Sequence, residues 1–255
     1  MVLESFHLNG KNALVTGSRH GKTADRGAIA ESIRQTGRKS FYMAGDLSDP
    51  QAQSDLIAGT IEEFGSIDIL VNNAGAIRRA PALEYPQDYW DELIAVNLTA
   101  VFRLSQLAAQ HMAKRAGRGK ILNIASLLSF QGGITVPAYA AAKGGVAQLT
   151  KALANEWASK AINVNAIAPG YMVTDNTTAL RNDPVRSRQI LERIPAGRWG
   201  KPKILRVPPS FFVRRQAITF MGTYWWSMVA GWRGEPGAIS LPRQKESFSI
   251  PELCS

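Results

Sequence analysis

Asp68-Ile69-Leu70-Val71-Asn72-Asn73-Ala74-Gly75 is the stretch that decides the fold. Its apolar centre does not alternate with polar residues, so it reads as a strand over residues 68–72 that is buried on both faces, as in a parallel sheet. The small residues that follow turn the chain at the strand's carboxyl end. In an open α/β sheet those ends line the ligand crevice, and small side chains there let a flat ligand approach the backbone. The plain alternative is an Asn-rich turn.

Outward from this stretch the pattern repeats. Residues 12–16 read as a buried strand ending at Gly17, 24–36 as a helix, 40–44 as a strand and 51–64 as a helix. A long helix covers about 87–114, a strand 120–125, a helix 137–158 and a strand 162–168. Strands alternating with helices of this length imply βαβ units. The expected fold class is α/β: a Rossmann-like, doubly wound parallel sheet with helices on both faces. Before residue 201 there is neither an internal repeat nor a low-complexity linker.

The 255 residues, 45% of them hydrophobic, suffice for one large core. No window of 18 apolar residues marks a membrane span, and no apolar leader opens the chain. The single cysteine, Cys254, excludes an internal disulfide and fits a reducing cytoplasm. A net charge of +10 invites a nucleic-acid reading, but residues 201–255 carry eight Lys/Arg against three Asp/Glu, half of that excess in about a fifth of the chain. The charge belongs to an unusual tail, and no nucleic-acid partner is expected. His7, His20 and His111 lack ligand spacing, so no metal site is expected.

Chemistry concentrates at Tyr139-Ala-Ala-Ala-Lys143, with Ser126 thirteen residues earlier. Positions i and i+4 share a helix face, so phenol and ammonium reach one point. A nearby cation favours ionised phenol, and a facing serine can hold a carbonyl or alcohol oxygen. Such a set moves a proton on or off oxygen while a hydride moves at the attached carbon. Thr16-Gly17-Ser18-Arg19-His20-Gly21 offers a glycine turn whose amides can approach a pyrophosphate, although Lys22-Thr23 stand where a third glycine is expected. Asn97, inside an apolar helix, either holds a water linking Lys143 to solvent or is a satisfied core amide. Pro169-Gly170-Tyr171-Met172 edges the crevice, Tyr171 and Met172 as pocket wall or plain packing. Arg78 and Arg79, and Arg198, suit a carboxylate or simply face solvent.

Together these elements resemble the short-chain dehydrogenase/reductase family over about residues 8–200. The resemblance implies an oxidoreductase in which Tyr139 exchanges the proton, Lys143 lowers its pKa and holds the ribose, Ser126 orients the substrate oxygen and Asn97 supports a proton relay. It implies NAD held by Gly17, Ser18, Arg19, Gly21, Asp46, Leu47, Asn73, Ala74, Gly75, Pro169, Gly170 and Met172, besides Tyr139 and Lys143. Ile77-Arg78-Arg79, Leu128 to Gly133, and the Ile194 to Gly200 stretch resemble a branch acting on sugar acids, which places Arg78, Arg79, Gln131 and Tyr171 at the substrate and implies a homotetramer. The alternatives are a gluconate- or 3-oxoacyl-type substrate and a catalytically impaired remnant.

The chain departs from the family twice. After Gly21 about 20 to 25 residues are missing relative to the family pattern, a helix and the strand whose end selects NAD or NADP. The strand at 40–44 could slide beside 12–16 and bring Asp46 to the ribose. After Lys201-Pro202 the pattern ends, so residues 1–202 form the domain and 203–255 an aberrant tail. Tyr224 to Glu235, read one base out of phase, permits Leu-Val-Val-Asp-Gly-Gly-Trp-Leu-Ala-Arg-stop, the family's terminus. The expectation is a frame-shifted, poorly ordered tail, a sheet without its final strand, and a compromised tetramer.

Overall fold

In a computed structural model, the structure describes residues 8, 10–17, 27–115, 119–202 and 224–226. Five parallel strands lie side by side in chain order: β1 (Ala13–Val15), β2 (Ile69–Asn72), β3 (Gly119–Ile124), β4 (Ile162–Ala168) and β5 (Tyr224–Trp226). Register pairs Leu14 with Leu70, Leu70 with Ile121, and Ile121 with Val164. These residues therefore project to one face.

Helices α1 (Ala28–Arg34), α2 (Pro50–Phe64), α3 (Gln87–Ile94) and α4 (Ala100–Ala113) precede β3. Asp49 caps α2, accepting from the Gln51 N–H, and Gly65 ends it in the left-handed region at φ 74°. The short α5 (Leu128–Gln131) and the long α6 (Pro137–Trp157) follow β3; α7 (Thr178–Asn182) and α8 (Pro184–Leu191) follow β4. The main core joins Leu70, Ile121 and Val164 to Ile57 of α2, Leu104 and Ala108 of α4, and Leu153 of α6. The stretch Gln87–Ala113 is long and apolar enough to cross a bilayer by length and composition; here Leu93 and Ala108 are fully buried in the domain.

The opposite sheet face carries a smaller cluster, Ile69, Leu122 and Ile167, made of strand residues alone among those described. Asn165 lies on this face, 1% exposed, with neither its Oδ1 nor its Nδ2 partnered.

Three expectations are corrected here. Residues 40–44 form no strand: Phe41 and Met43 are exposed, and Met43 leans on Gly59 of α2. Residues 12–15 are not buried: β1 pairs only with β2 among the described residues, and Val15 is 48% exposed. Among the described residues β1 is therefore the edge of the sheet, next to β2. The sheet also has a fifth strand where none was expected, since Tyr224–Trp226 pair with Ala166 to Ala168. The rest of the tail expectation, at 203–223 and 227–255, lies outside the described residues.

Candidate active site

The carboxyl ends of β1 and β2 are tied together. Thr16 Oγ1 accepts from the Asn73 and Ala74 N–H groups, both at 3.1 Å, and Asn73 Nδ2 donates to the Thr16 carbonyl at 2.9 Å. Gly17 sits at φ 72°, and a Cβ there would stand 2.6 Å from Ala74 Cα. The contact and the backbone both require glycine. Beneath the turn, Asn72 Nδ2 donates to Asn123 Oδ1 and Ser105 Oγ at 2.9 Å, while its buried Oδ1 has no partner among the described residues.

The reactive side chains meet at the ends of β3 and β4. Ser129 Oγ accepts from the Ser126 N–H at 3.2 Å and donates to the Lys143 carbonyl at 2.7 Å, so α5 stitches Ser126 to α6. Leu128 N–H donates to Ser126 Oγ at 3.1 Å, and Ser126 and Tyr139 face the same cavity. The Lys143 ammonium is buried, donates to the Ile124 carbonyl at 2.6 Å and stands 5.8 Å from the centroid of the Tyr139 ring. Burial pushes the Lys143 pKa down to about 8. Burial pushes the Tyr139 phenol up, opposed by the Ser126 hydroxyl and the charge of Arg79. The ammonium is bonded to a carbonyl and sits over the ring.

Asn97 is fully buried in a π turn, Ala95–Thr99, between α3 and α4. Its Oδ1 accepts from the Ala76 N–H at 3.1 Å and its Nδ2 donates to the Ala76 carbonyl at 3.0 Å. The amide thus latches the strand-end loop, which fits the satisfied-amide reading. It is also close to the lysine: a Cβ on Gly75 would lie 2.8 Å from Asn97 Oδ1 and 3.8 Å from Lys143 Nζ.

A cavity of about 620 Å³ opens over these groups. Of the residues expected from sequence it is lined by Asn73, Gly75, Arg79, Ser126, Tyr139 and Lys143, and by the crevice edge Pro169 to Met172. Tyr171 packs edge-on against Trp199 at 5.8 Å. Ala74 and Gly17 form the adjoining turn; Ser18, Arg19 and Gly21 lie outside the described residues. Four expected residues are elsewhere. Arg78 holds Glu92 through two bonds of 2.9 Å and stacks on Tyr89, so its guanidinium is already paired. Gln131 is exposed at the end of α5, off the cavity wall. Asp46 accepts from both the N–H and the hydroxyl of Ser48, bonds that lower its pKa, and Leu47 packs on the main core. Neither lines the cavity.

Three residues of the wall carried no sequence signal. Thr135 adopts φ 63°, uncommon for a β-branched residue, and its carbonyl accepts from the Ala80 N–H at 3.1 Å, binding the loop before α6 to the Arg79 stretch. Asn176 accepts from Arg79 Nη2 at 3.2 Å. Arg186 reaches the cavity from α8. The charged residues lining the cavity are Arg79, Lys143 and Arg186; no aspartate or glutamate joins them among the described residues.

The sequence matches the short chain dehydrogenase family over residues 5–185. The chain belongs to that family. It is 43% identical over 251 residues to 2-dehydro-3-deoxy-D-gluconate 5-dehydrogenase of Dickeya dadantii, covering 91% of this chain and 99% of the relative. It is 37% identical over 237 residues to 5-keto-D-gluconate 5-reductase of Escherichia coli, covering 85% and 92%. Its fold matches a gluconate 5-dehydrogenase of Burkholderia cenocepacia solved with NADP and tartrate, at a TM-score of 0.83 and 35% identity over 89% of this chain and 96% of the other. As a short chain dehydrogenase, the chain is an NAD(P)-dependent oxidoreductase with a Rossmann-like parallel sheet.

Proposed function

We propose that this chain interconverts a secondary alcohol and a ketone on a sugar acid such as 2-dehydro-3-deoxy-gluconate, with NAD as partner in the exchange. One observation carries the reading: the proton-handling set Ser126, Tyr139 and Lys143 opens into a cavity whose charged wall is wholly cationic. A carboxylate-bearing substrate suits such a wall, to which Arg79 contributes while Arg78 is paired to Glu92.

The residues present fit a nicotinamide. Small residues at Asn73 to Gly75 and at Pro169-Gly170 leave the backbone open, and a side chain at Gly75 would fill the space before Asn97 and Lys143. When bound, the nicotinamide gives or takes the hydride. Tyr139 then gives or takes the proton at the substrate oxygen, Ser126 orients that oxygen, and Lys143 places positive charge behind the phenol. NAD is the cofactor the family resemblance implies; the Burkholderia relative was solved with NADP, so both belong in the assay. A homotetramer and a cytoplasmic setting are part of the same proposal.

A second reading, a catalytically impaired member, is favoured by β1, which among the described residues pairs only with β2 and leaves Val15 48% exposed. One assay separates the two. Consumption of NADH and NADPH is followed with 5-keto-D-gluconate and with neutral D-fructose, beside a version carrying the in-phase terminus. Turnover of the acid alone supports the proposal. Turnover only with the in-phase terminus supports impairment, and equal turnover of acid and neutral ketose contradicts the acid assignment.

A further inference from the structure

Arg186 is a cation on the cavity wall without a carboxylate of its own. Asp183 accepts from the Val185 and Arg186 N–H groups, both at 3.0 Å, and Pro184 takes the first helical position, so the opening turn of α8 is fixed. That turn aligns Arg186 with Ile190, four residues on, and both line the cavity. Ile190 is 5% exposed and anchors α8 to the apolar cluster with Ile194, which orients the helix face that bears the guanidinium.

The other two cations of the wall are committed. Lys143 is bonded to Ile124 and serves Tyr139, and Arg79 spends Nη2 on the Asn176 carbonyl. Arg186 donates to Gln189 Oε1 at 2.9 Å, a neutral amide one turn away, and none of the ion pairs among the described residues includes it. The Asp183 carboxylate nearby is occupied in capping backbone N–H groups. A half-buried guanidinium beside Leu180 and Ile190 keeps free donors facing a space large enough for a small molecule.

We infer that Arg186 selects for the anionic group of the substrate, gripping its carboxylate from α8. The inference rests on the sugar-acid reading above and adds the residue and the helix that read the acid. Gluconate is then held at two ends, its reacting oxygen by Ser126 and Tyr139 and its carboxylate by the guanidinium.

The test is calorimetric titration of the full chain with D-gluconate and with the neutral polyol D-glucitol, and separately with NADH. Arg186→Gln is expected to weaken gluconate about 10- to 100-fold, the worth of a charge-assisted bond. Arg186→Lys restores part of the loss, glucitol binding and NADH affinity stay unchanged, and the melting temperature does not move. Gluconate affinity within about twofold of the parent while Arg79→Gln weakens it overturns the role of Arg186 and leaves the acid reading standing. A parallel loss of NADH affinity also overturns it, assigning the guanidinium to cofactor phosphate. A parent chain that binds gluconate no better than glucitol, or binds neither, overturns the acid reading and this inference with it.

Discussion

The Lys143 ammonium stands 5.8 Å from the centroid of the Tyr139 ring and donates to the Ile124 carbonyl at 2.6 Å. The pair is therefore a buried cation beneath a half-buried phenol, and each titrates away from its ordinary range. Lysine, held down to about 8, loses its charge as pH rises through that value. Ketone reduction, which uses neutral phenol and charged lysine, is expected to be fastest below about pH 8 and to fall above it. The folded protein binds fewer protons at Lys143 than the unfolded chain between about 8 and the ordinary lysine value, so stability rises with pH across that window. Chemical denaturation at pH values spanning the window checks the sign, and Lys143→Met should abolish the rise.

Arg79 lowers the phenol's pKa through its charge. Arg79→Gln should therefore move the rising limb of alcohol oxidation, which needs the ionised phenol, to higher pH. Tyr139→Phe should cost about 100- to 10,000-fold in turnover, the scale of a lost general acid. A pH–rate series on the three proteins reads both effects.

Gly17→Ala is expected to disrupt the turn between β1 and β2. Its methyl would meet the Ala74 backbone at 2.6 Å, and backbone cannot move aside as a flexible side chain can. Loss of NAD(H) affinity, measured by fluorescence titration, should exceed any loss of secondary structure by circular dichroism.

Asn97→Ala strands both polar groups of Ala76 and is expected to destabilise the fold by about 1–3 kcal/mol per group left unpaired. Asn165→Leu should do the opposite. Its amide is buried with neither end paired, so a side chain of similar size without polar atoms should raise the melting temperature. Both are read by thermal denaturation.

The centre of the fold was legible in the sequence because its segments are long and evenly patterned. The run Ile69–Asn72, the helix Pro137–Trp157 and the strand Ile162–Ala168 fall within a residue or two of their expected bounds. Residues 40–44 carry strand-like composition, but they pair with no described strand, and Phe41 and Met43 stay exposed. The cavity's lower wall was legible for the same reason: strand ends converge at a crevice. Arg78 and Arg79 are indistinguishable in sequence; only the fold shows that Glu92 claims the first. Arg186 and Thr135 were hidden because one depends on how α8 docks and the other on a backbone conformation that composition does not signal. The tail composition told of a lost strand, yet backbone pairing is insensitive to side-chain identity, and Tyr224–Trp226 pair with β4.

The account stands on hydride transfer to a sugar acid at Tyr139. The most direct measurement incubates 5-keto-D-gluconate with nicotinamide cofactor deuterated at the transferring carbon and weighs the product by mass spectrometry. The account predicts one deuterium on carbon in the reduced acid with the parent chain, and the same labelled product formed about 100- to 10,000-fold more slowly with Tyr139→Phe. Unlabelled product, or labelled product at undiminished rate from Tyr139→Phe, would contradict it.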